Sequence, residues 1–339
     1  MASRAEDLEA INGEAPKAGQ GMHRVALIYN PFSGQYSSHR RNHIDDVLAV
    51  LRGAGIVAEA VATTAPGSAA ALVKESIRRG CDTILACGGD GTVHEVLQTL
   101  AGGPIALGVV PLGTANALAA DLGLPLSPIK AVHALLSATP VRVPVGRIYF
   151  QDSDGVERSR FFTVAAGIGA DALLMSRLDA KLKRRFGYAL YAVEGLRILL
   201  SHSFPLFRAA FVEETGCKPR EDEVSQLLAV RIRDFGGMLH HLVPGATLRN
   251  DTLRLVAFKT QNRFNYMRFL AAVVFKRQTF SSRIELLDAV SVECRDCPGS
   301  QKRVFAEADG ELLGRLPVRM EIVPDALTLL VPSRVTRVT

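Results

Sequence analysis

Between Ile84 and Val96 a short apolar run, Ile84-Leu85-Ala86-Cys87, breaks into Gly88-Gly89-Asp90-Gly91-Thr92 and passes at once into the amphipathic stretch Val93-His94-Glu95-Val96. The apolar run reads as a buried strand and its continuation as a helix, with the glycines forming a tight turn between them. Glycine permits a left-handed backbone and lets a ligand approach the main chain without meeting a Cβ. The N–H groups of such a turn, added to those of a helix N-terminus, favour an anion such as phosphate. An ordinary strand-to-helix turn needs one or two glycines, not three around a carboxylate.

The same grammar recurs on either side. Pro111-Leu112-Gly113-Thr114-Ala115-Asn116 succeeds the run Ile105–Val110 and again leads into a helical pattern. Thr114 and Asn116 are candidates to bond phosphate or ribose, with capping of the helix near Asn116 as the structural alternative. Asn30-Pro31-Phe32-Ser33-Gly34 closes the run Val25–Tyr29, and helical spacing over Asn42–Gly53 and Ser68–Arg79 brackets a further strand at Ile56–Thr63. Strands alternating with helices predict a parallel sheet covered on both faces, with ligands at the carboxyl ends of its strands. The chain has no G-x-x-x-x-G-K-[ST] segment, so it is not a P-loop enzyme.

Residues 1–21, rich in Gly, Ala, Glu and Pro, are expected to be a disordered leader, followed by an α/β domain over 22–145. After Pro144 the texture changes: Val145–Phe150, Phe161–Ala166, Leu227–Arg233, Leu253–Lys259 and Ile284–Val292 recur as strand-like runs between turn signals. They predict a β-rich, antiparallel second domain over 146–332, with helical insertions at Ala172–Ser201 and Tyr266–Val274 and a tail at 333–339. Gly167-Ile168-Gly169-Ala170-Asp171-Ala172 imitates a dinucleotide-binding loop. The region some twenty residues on is helical and offers no acid closing a second strand, which speaks against that reading. Five cysteines at irregular spacing imply no disulfide framework and a reducing compartment, and Cys294-x-x-Cys297 lacks the second pair that a zinc site needs. The sequence shows no signal peptide and no uninterrupted apolar span, so a cytoplasmic protein is expected.

Near the far end, Glu307-Ala308-Asp309-Gly310-Glu311 has two readings. Asp-Gly is a favoured hairpin dipeptide. A carboxylate here could equally accept a hydroxyl proton during phosphoryl transfer.

Taken in order, Asn30-Pro31-x-Ser33-Gly34, Gly88-Gly89-Asp90-Gly91-Thr92, Pro111-x-Gly113-Thr114-x-Asn116 and Asp309-Gly310-Glu311 resemble the diacylglycerol kinase catalytic family, which includes soluble bacterial lipid kinases and sphingosine kinases. The likeness spans Arg24 to Pro332. It implies an N-terminal α/β nucleotide domain, a C-terminal β-sandwich, and ATP and Mg²⁺ as cofactors. Nucleotide contacts would come from Asn30, Thr63, Gly88, Gly89, Asp90, Gly91, Thr92, Val93, His94, Gly113, Thr114 and Asn116, with Thr63 opening the family's T-x5-A pattern to Ala69. Asp309 and Glu311 would supply the base, Asp309 being the first choice, and Asp90 would organise Mg²⁺-ATP. A structural Mg²⁺ is implied at Pro244-x-Ala246 and Asp251-x-Leu253, with Asp251, Leu253 and Leu248 as oxygen donors. Two positions depart from the family: His94 stands where many bacterial members have Asn, and Asn250-Asp251-Thr252 replaces a frequent Asp-Gly turn.

The net charge of +6, from 40 basic and 34 acidic residues, matters through its placement. Arg177, Lys181, Lys183, Arg184 and Arg185 precede an apolar stretch from Gly187 to Leu200. Phe264, Met267, Phe269, Leu270 and Phe275 lie among Arg263, Arg268, Lys276 and Arg277. Both patterns suit an anionic bilayer, and neither shows the aromatic–basic interleaving on a strand that nucleic acid would need. The expectation is a peripheral ATP-dependent kinase of diacylglycerol or a related lipid alcohol, with homodimerisation left open. NAD kinase shares the first glycine loop but would not be expected to show the second loop with a late Asp-Gly-Glu. A non-catalytic nucleotide-binding module is the remaining rival, and intact Asp90, Asp309 and Glu311 argue against it.

Overall fold

The computed structural model describes residues 21–31, 40–177, 195, 197–199, 201, 203–214, 216–235, 242–274, 282–300 and 302–333. The expected leader, Ser33-Gly34, most of the basic cluster and of Gly187–Leu200, and Phe275–Arg277 lie outside them. The chain divides into two compact units, Met1–Pro144 with Pro324–Thr339, and Val145–Val323.

In the first unit β1 (Arg24–Tyr29) lies between β2 (Val57–Ala62) and β3 (Thr83–Gly88), and β4 (Ala106–Pro111) flanks β3, all parallel. Helices α1 (Arg40–Gly53), α2 (Ala69–Arg78) and α3 (Asp90–Leu100) alternate with these strands, and α4 (Ala117–Asp121) and α5 (Pro128–Leu136) come after β4. Every residue of β3 and β4 is buried, as expected of parallel strands covered on both faces. The register pairs Gly88 with Pro111, so β3 and β4 end side by side and their glycine turns start as neighbours.

Two long strands join the units: β5 (Thr139–Gln151) and β16 (Val318–Val331). Thr328 and Leu329 of β16 pair in parallel with Ala106 and Leu107 of β4. Residues from Pro324 onward therefore return to the first unit, whereas the sequence reading carried the second domain on to residue 332. Only Pro324-Asp325, with Asp325 at φ 47°, interrupts the run at that passage.

The second unit is a sandwich of two antiparallel sheets. Its strands are β6 (Glu157–Phe162), β7 (Ala165–Ile168), β8 (Phe207–Val212), β9 (Arg220–Val224), β10 (Gln226–Val230), β11 (Leu253–Phe258), β12 (Ile284–Ala289), β13 (Ser291–Asp296), β14 (Phe305–Ala308) and β15 (Glu311–Arg315). One sheet runs β12-β11-β10-β7-β14-β15; in the other, β13 joins β16 to β8 and β8 pairs β9, with β5 paired to β6. Ile148, Phe162, Phe207, Phe211, Leu227 and Leu255 fill the space between the sheets. Two runs read from the sequence as single strands are each broken. Phe161–Ala166 splits into the end of β6 and the start of β7, and Ile284–Val292 into β12 and β13; each break carries the chain from one sheet to the other. Apolar periodicity continues across such a crossing because both sheets face one core.

Helix α6 (Ala170–Arg177) succeeds β7, which lies antiparallel between β10 and β14. The Gly-x-Gly segment therefore belongs to no strand-helix-strand nucleotide unit. Gly167 is glycine for another reason: a Cβ there would overlap the Asp171 carboxylate. Both Asp171 oxygens are sealed from solvent without a well-formed hydrogen bond. Burial pushes this carboxyl up to about 7, opposed by the nearby backbone N–H groups of Ala172 and Asp171 itself. Because its folded pKa lies above the unfolded value of 3.8, ionisation opposes folding: the penalty is absent below about pH 4, grows as pH rises, and is complete above about pH 7. Asp171→Asn should therefore gain in stability relative to the unaltered protein between pH 5 and pH 8, by at most about 4 kcal/mol at the alkaline end, read from the two melting curves. A pH-independent difference between the two melting curves would contradict this.

Candidate active site

The junction after β3 is tighter than a loop. Gly89 alone separates strand from helix, in extended conformation (φ −92°, ψ −171°), and as the N-cap residue it leaves the first turn of α3 without a side-chain cap. None of Gly88, Gly89, Gly91 and Gly113 adopts a left-handed φ. Close approach, the other property expected of these glycines, explains them instead. A Cβ on Gly113 would overlap the Cα of Gly89, and one on Gly88 would run into the Thr92 side chain. The two glycine turns thus touch backbone to backbone. Gly91 has open space where its Cβ would be.

Polar side chains lock this contact. Asp90 receives the N–H groups of Asn116 (3.0 Å) and Ala117 (2.7 Å) on its two carboxylate oxygens, tying α3 to the start of α4. Asn116 sits in left-handed backbone (φ 51°) and folds back on Gly113, accepting its N–H (2.8 Å) and donating to its carbonyl (3.0 Å). It occupies the N-cap position but makes no side-chain cap bond, so it clasps the turn instead of capping the helix. Thr114 beside it is exposed. Val93 and His94 are buried, and the His94 ring lies 3.4 Å from the Gln98 amide within α3.

Asn30, Thr63, Ala65, Pro66, Gly89, Gly91, Thr92 and Glu95 line a cavity of about 170 Å³ in the first unit. Five of these, Asn30, Thr63, Gly89, Gly91 and Thr92, are residues that the motifs single out. The volume falls below the roughly 300 Å³ at which pockets for whole small molecules begin, and suits phosphate groups rather than a complete nucleotide. Glu95 was missed by motif reasoning, although it stands one helical turn beyond Gly91 and so shares its face. Its carboxylate accepts the N–H of Ala69 at the start of α2 (3.4 Å). Ala65 and Pro66 enter because Ser68 folds their loop, its hydroxyl accepting from the N–H groups of Thr64 and Ala65 and donating to the Ala65 carbonyl.

In the second unit the acidic motif is a hairpin between β14 and β15, with Asp309 (φ 48°) and Gly310 (φ 82°) both left-handed. Asp309 also does more than turn the chain. Its carboxylate accepts the N–H groups of Thr163 (3.0 Å), Val164 (2.9 Å) and Ala165 (3.1 Å), the residues at which the chain leaves β6 for β7. Glu307 accepts the N–H of Gly310 (2.8 Å), and Glu311 is exposed.

The loop expected to hold a structural Mg²⁺ already contains a cation of the protein's own. Arg231, 1% exposed, donates to the carbonyls of Leu248 (3.0 Å), Asn250 (2.8 Å) and Thr252 (2.7 Å). Burial pushes its guanidinium down to about 10, partly offset by Asp251, so it remains a cation at neutral pH. The Leu248 carbonyl is thus already engaged by a positive charge. A divalent ion here would face that charge with Asp251, itself exposed, as the one carboxylate of the expected set.

These contacts make two outcomes measurable. Gly113→Ala must force the turns apart and should lower nucleotide affinity at least about tenfold while costing roughly 1–3 kcal/mol of stability, read by calorimetric titration and thermal melting. Nucleotide-free protein should melt at the same temperature in EDTA as in excess Mg²⁺, whereas Arg231→Met should lose about 2–4 kcal/mol by leaving three carbonyls without their donor. A chelator-induced drop in the unaltered protein would show that a metal, not Arg231, holds the 248–252 loop.

Known proteins share this organisation. The Diacylglycerol kinase catalytic domain family matches residues 24–148, and the YegS C-terminal NAD kinase beta sandwich-like domain matches residues 163–331. A relative named diacylglycerol kinase from Bacillus subtilis (strain 168) is 29% identical over 302 residues, covering 87% of this chain and 92% of the relative. Another of that name from Mycobacterium tuberculosis (strain CDC 1551 / Oshkosh) is 28% identical over 317 residues, covering 91% and 95%. In fold, the chain is similar to the crystal structure of a diacylglycerol kinase from Bacillus anthracis str. Sterne, with a TM-score of 0.67 at 20% identity over 93% of this chain and 98% of that one. Twin glycine turns pressed together, a parallel sheet leading into an antiparallel sandwich, and these matches over both units place the chain in the diacylglycerol kinase catalytic family.

Proposed function

We propose that the protein transfers the γ-phosphoryl group of ATP to a hydroxyl of diacylglycerol or a related lipid alcohol. The observation that carries this reading is the cavity at the uncapped start of α3, lined by Asn30, Thr63 and Thr92 beside Gly89 and Gly91. Asn30, Thr63, Gly89, Gly91 and Thr92 would meet the phosphates there, helped by the positive end of the α3 dipole. Mg²⁺ enters as part of the MgATP substrate. Asp90 would act by holding the second turn in place, since its oxygens already bond Asn116 and Ala117.

The acceptor oxygen forms a bond to the γ-phosphorus as the bond from that phosphorus to the β–γ bridging oxygen breaks. The hydroxyl proton goes to a carboxylate. Glu311 is the better base than Asp309, because it is exposed whereas Asp309 accepts three backbone N–H groups at the β6–β7 crossing. In this division Asp309 shapes the hairpin and Glu311 moves the proton. The protein would work in the cytoplasm at a membrane surface, where such an acceptor resides.

A radiolabelled-ATP screen against diacylglycerol, monoacylglycerol, sphingosine and ceramide in mixed micelles tests the reading. Glu311→Gln should lower kcat about 10²- to 10⁴-fold with ATP affinity preserved, while Asp309→Asn should lower the melting temperature as well as turnover. Phosphorylation of NAD in place of every lipid, or ATP binding with no turnover at all, would refute it.

A further inference from the structure

Helix α7 (Arg263–Val274) packs one face onto the outer side of the sheet containing β11. Tyr266 stacks on Phe204 and Phe258, with ring centroids 4.0 and 4.7 Å apart, and Phe269 meets Phe258 edge-on at 5.1 Å. The Tyr266 hydroxyl shares a hydrogen bond with Ser225 (2.7 Å), and Val273 completes the buried stripe. The exposed side also carries apolar residues. Phe264 is 68% exposed and Leu270 45% exposed, while Met267 between them is half-buried against the same cluster. Arg263 and Arg268 are exposed beside these side chains. From Arg263 to Arg283 the sequence carries five basic residues and no acidic one.

We propose that this outer face of α7 docks on an anionic lipid bilayer, with Phe264 and Leu270 entering the headgroup–acyl boundary and Arg263 and Arg268 meeting lipid phosphates. A helix with a buried aromatic stripe has no folding reason to expose a phenylalanine at two-thirds of its surface, and burying it in lipid recovers that apolar area. Charge selects the partner. Each arginine near an anionic leaflet adds attraction, and α7 has no acid to oppose it. A second copy of the chain is a poor occupant, because a two-fold contact through this face would bring the arginines together with no acid on the helix to answer them. The surface rests on its own exposure and charge; the kinase reading supplies only the reason for a bilayer to be near.

The chain contains no tryptophan, so Phe264→Trp creates a sole tryptophan on the exposed side of the helix, excited apart from the tyrosines at the red edge. Without nucleotide, its emission should shift to the blue on adding phosphatidylglycerol vesicles, stay unchanged with phosphatidylcholine vesicles, and revert in high salt. In sedimentation with the same vesicles, Phe264→Ser with Leu270→Ser should weaken partitioning about tenfold or more. Arg263→Gln with Arg268→Gln should do likewise at low salt. The arginine pair and the tryptophan reporter keep the test decisive if the serine pair perturbs folding. No shift, an equal shift with neutral vesicles, or unaltered sedimentation of both double variants would overturn the surface. So would a wild-type dimer in analytical ultracentrifugation that the serine pair dissolves. Because vesicle binding is read without turnover, the surface can fail with the kinase assignment intact, and an absence of kinase activity leaves a vesicle-induced shift standing.

Discussion

Carboxylates that spend both oxygens on main-chain N–H groups hold this protein's turns together. Asp90 does so between α3 and the start of α4, and Asp309 at the crossing from β6 to β7. In each case a charged acceptor satisfies N–H groups at a point where the regular ladder is interrupted, and charge-assisted bonds of this kind are stronger than neutral ones. Both acids belong to motifs that invite a purely chemical reading. Their geometry gives them a prior job, on which the chemistry depends: without Asp90 the second glycine turn loses its tie, and without Asp309 the hairpin bearing Glu311 loses its anchor.

The glycines obey a related constraint. Parallel register brings β3 and β4 to an end together, and the two turns that leave them must pass within van der Waals distance. Gly113 has no room for a Cβ and Gly89 has little, while Gly91, which lines the cavity, has open space where its Cβ would be. Asn116 then closes its own turn from within. A site for phosphate is thereby built from backbone and small side chains, which a ligand can approach closely.

A third polar device lies where the resemblance implies a structural Mg²⁺. The 248–252 loop is organised by the buried guanidinium of Arg231, which reaches three of its carbonyls at once. A planar, multiply donating cation inside the protein can hold a turn that an external ion would otherwise gather. Leu248, Asn250 and Thr252 thus direct their carbonyls at a cation of the protein's own.

Apolar runs, helical spacing and the glycine-rich turns determined by themselves the alternation of strands and helices up to Pro144, the β-rich character of the chain beyond it, and four of the residues that line the cavity, with Thr63 added by the family pattern. These are local signals, because strand, turn and helix each write a short period or a small residue into the chain. The tertiary structure alone decided where apolar runs break between sheets, that β16 returns to the first unit, that Glu95 joins the cavity, and that Asp309 is committed to backbone while Glu311 is exposed. Each of these depends on which distant groups arrive beside one another, such as Thr163 at Asp309, Ala69 at Glu95 or Leu248 at Arg231. A one-dimensional pattern records what a residue is, but the partner that uses up its hydrogen bonds is set only when the chain closes on itself.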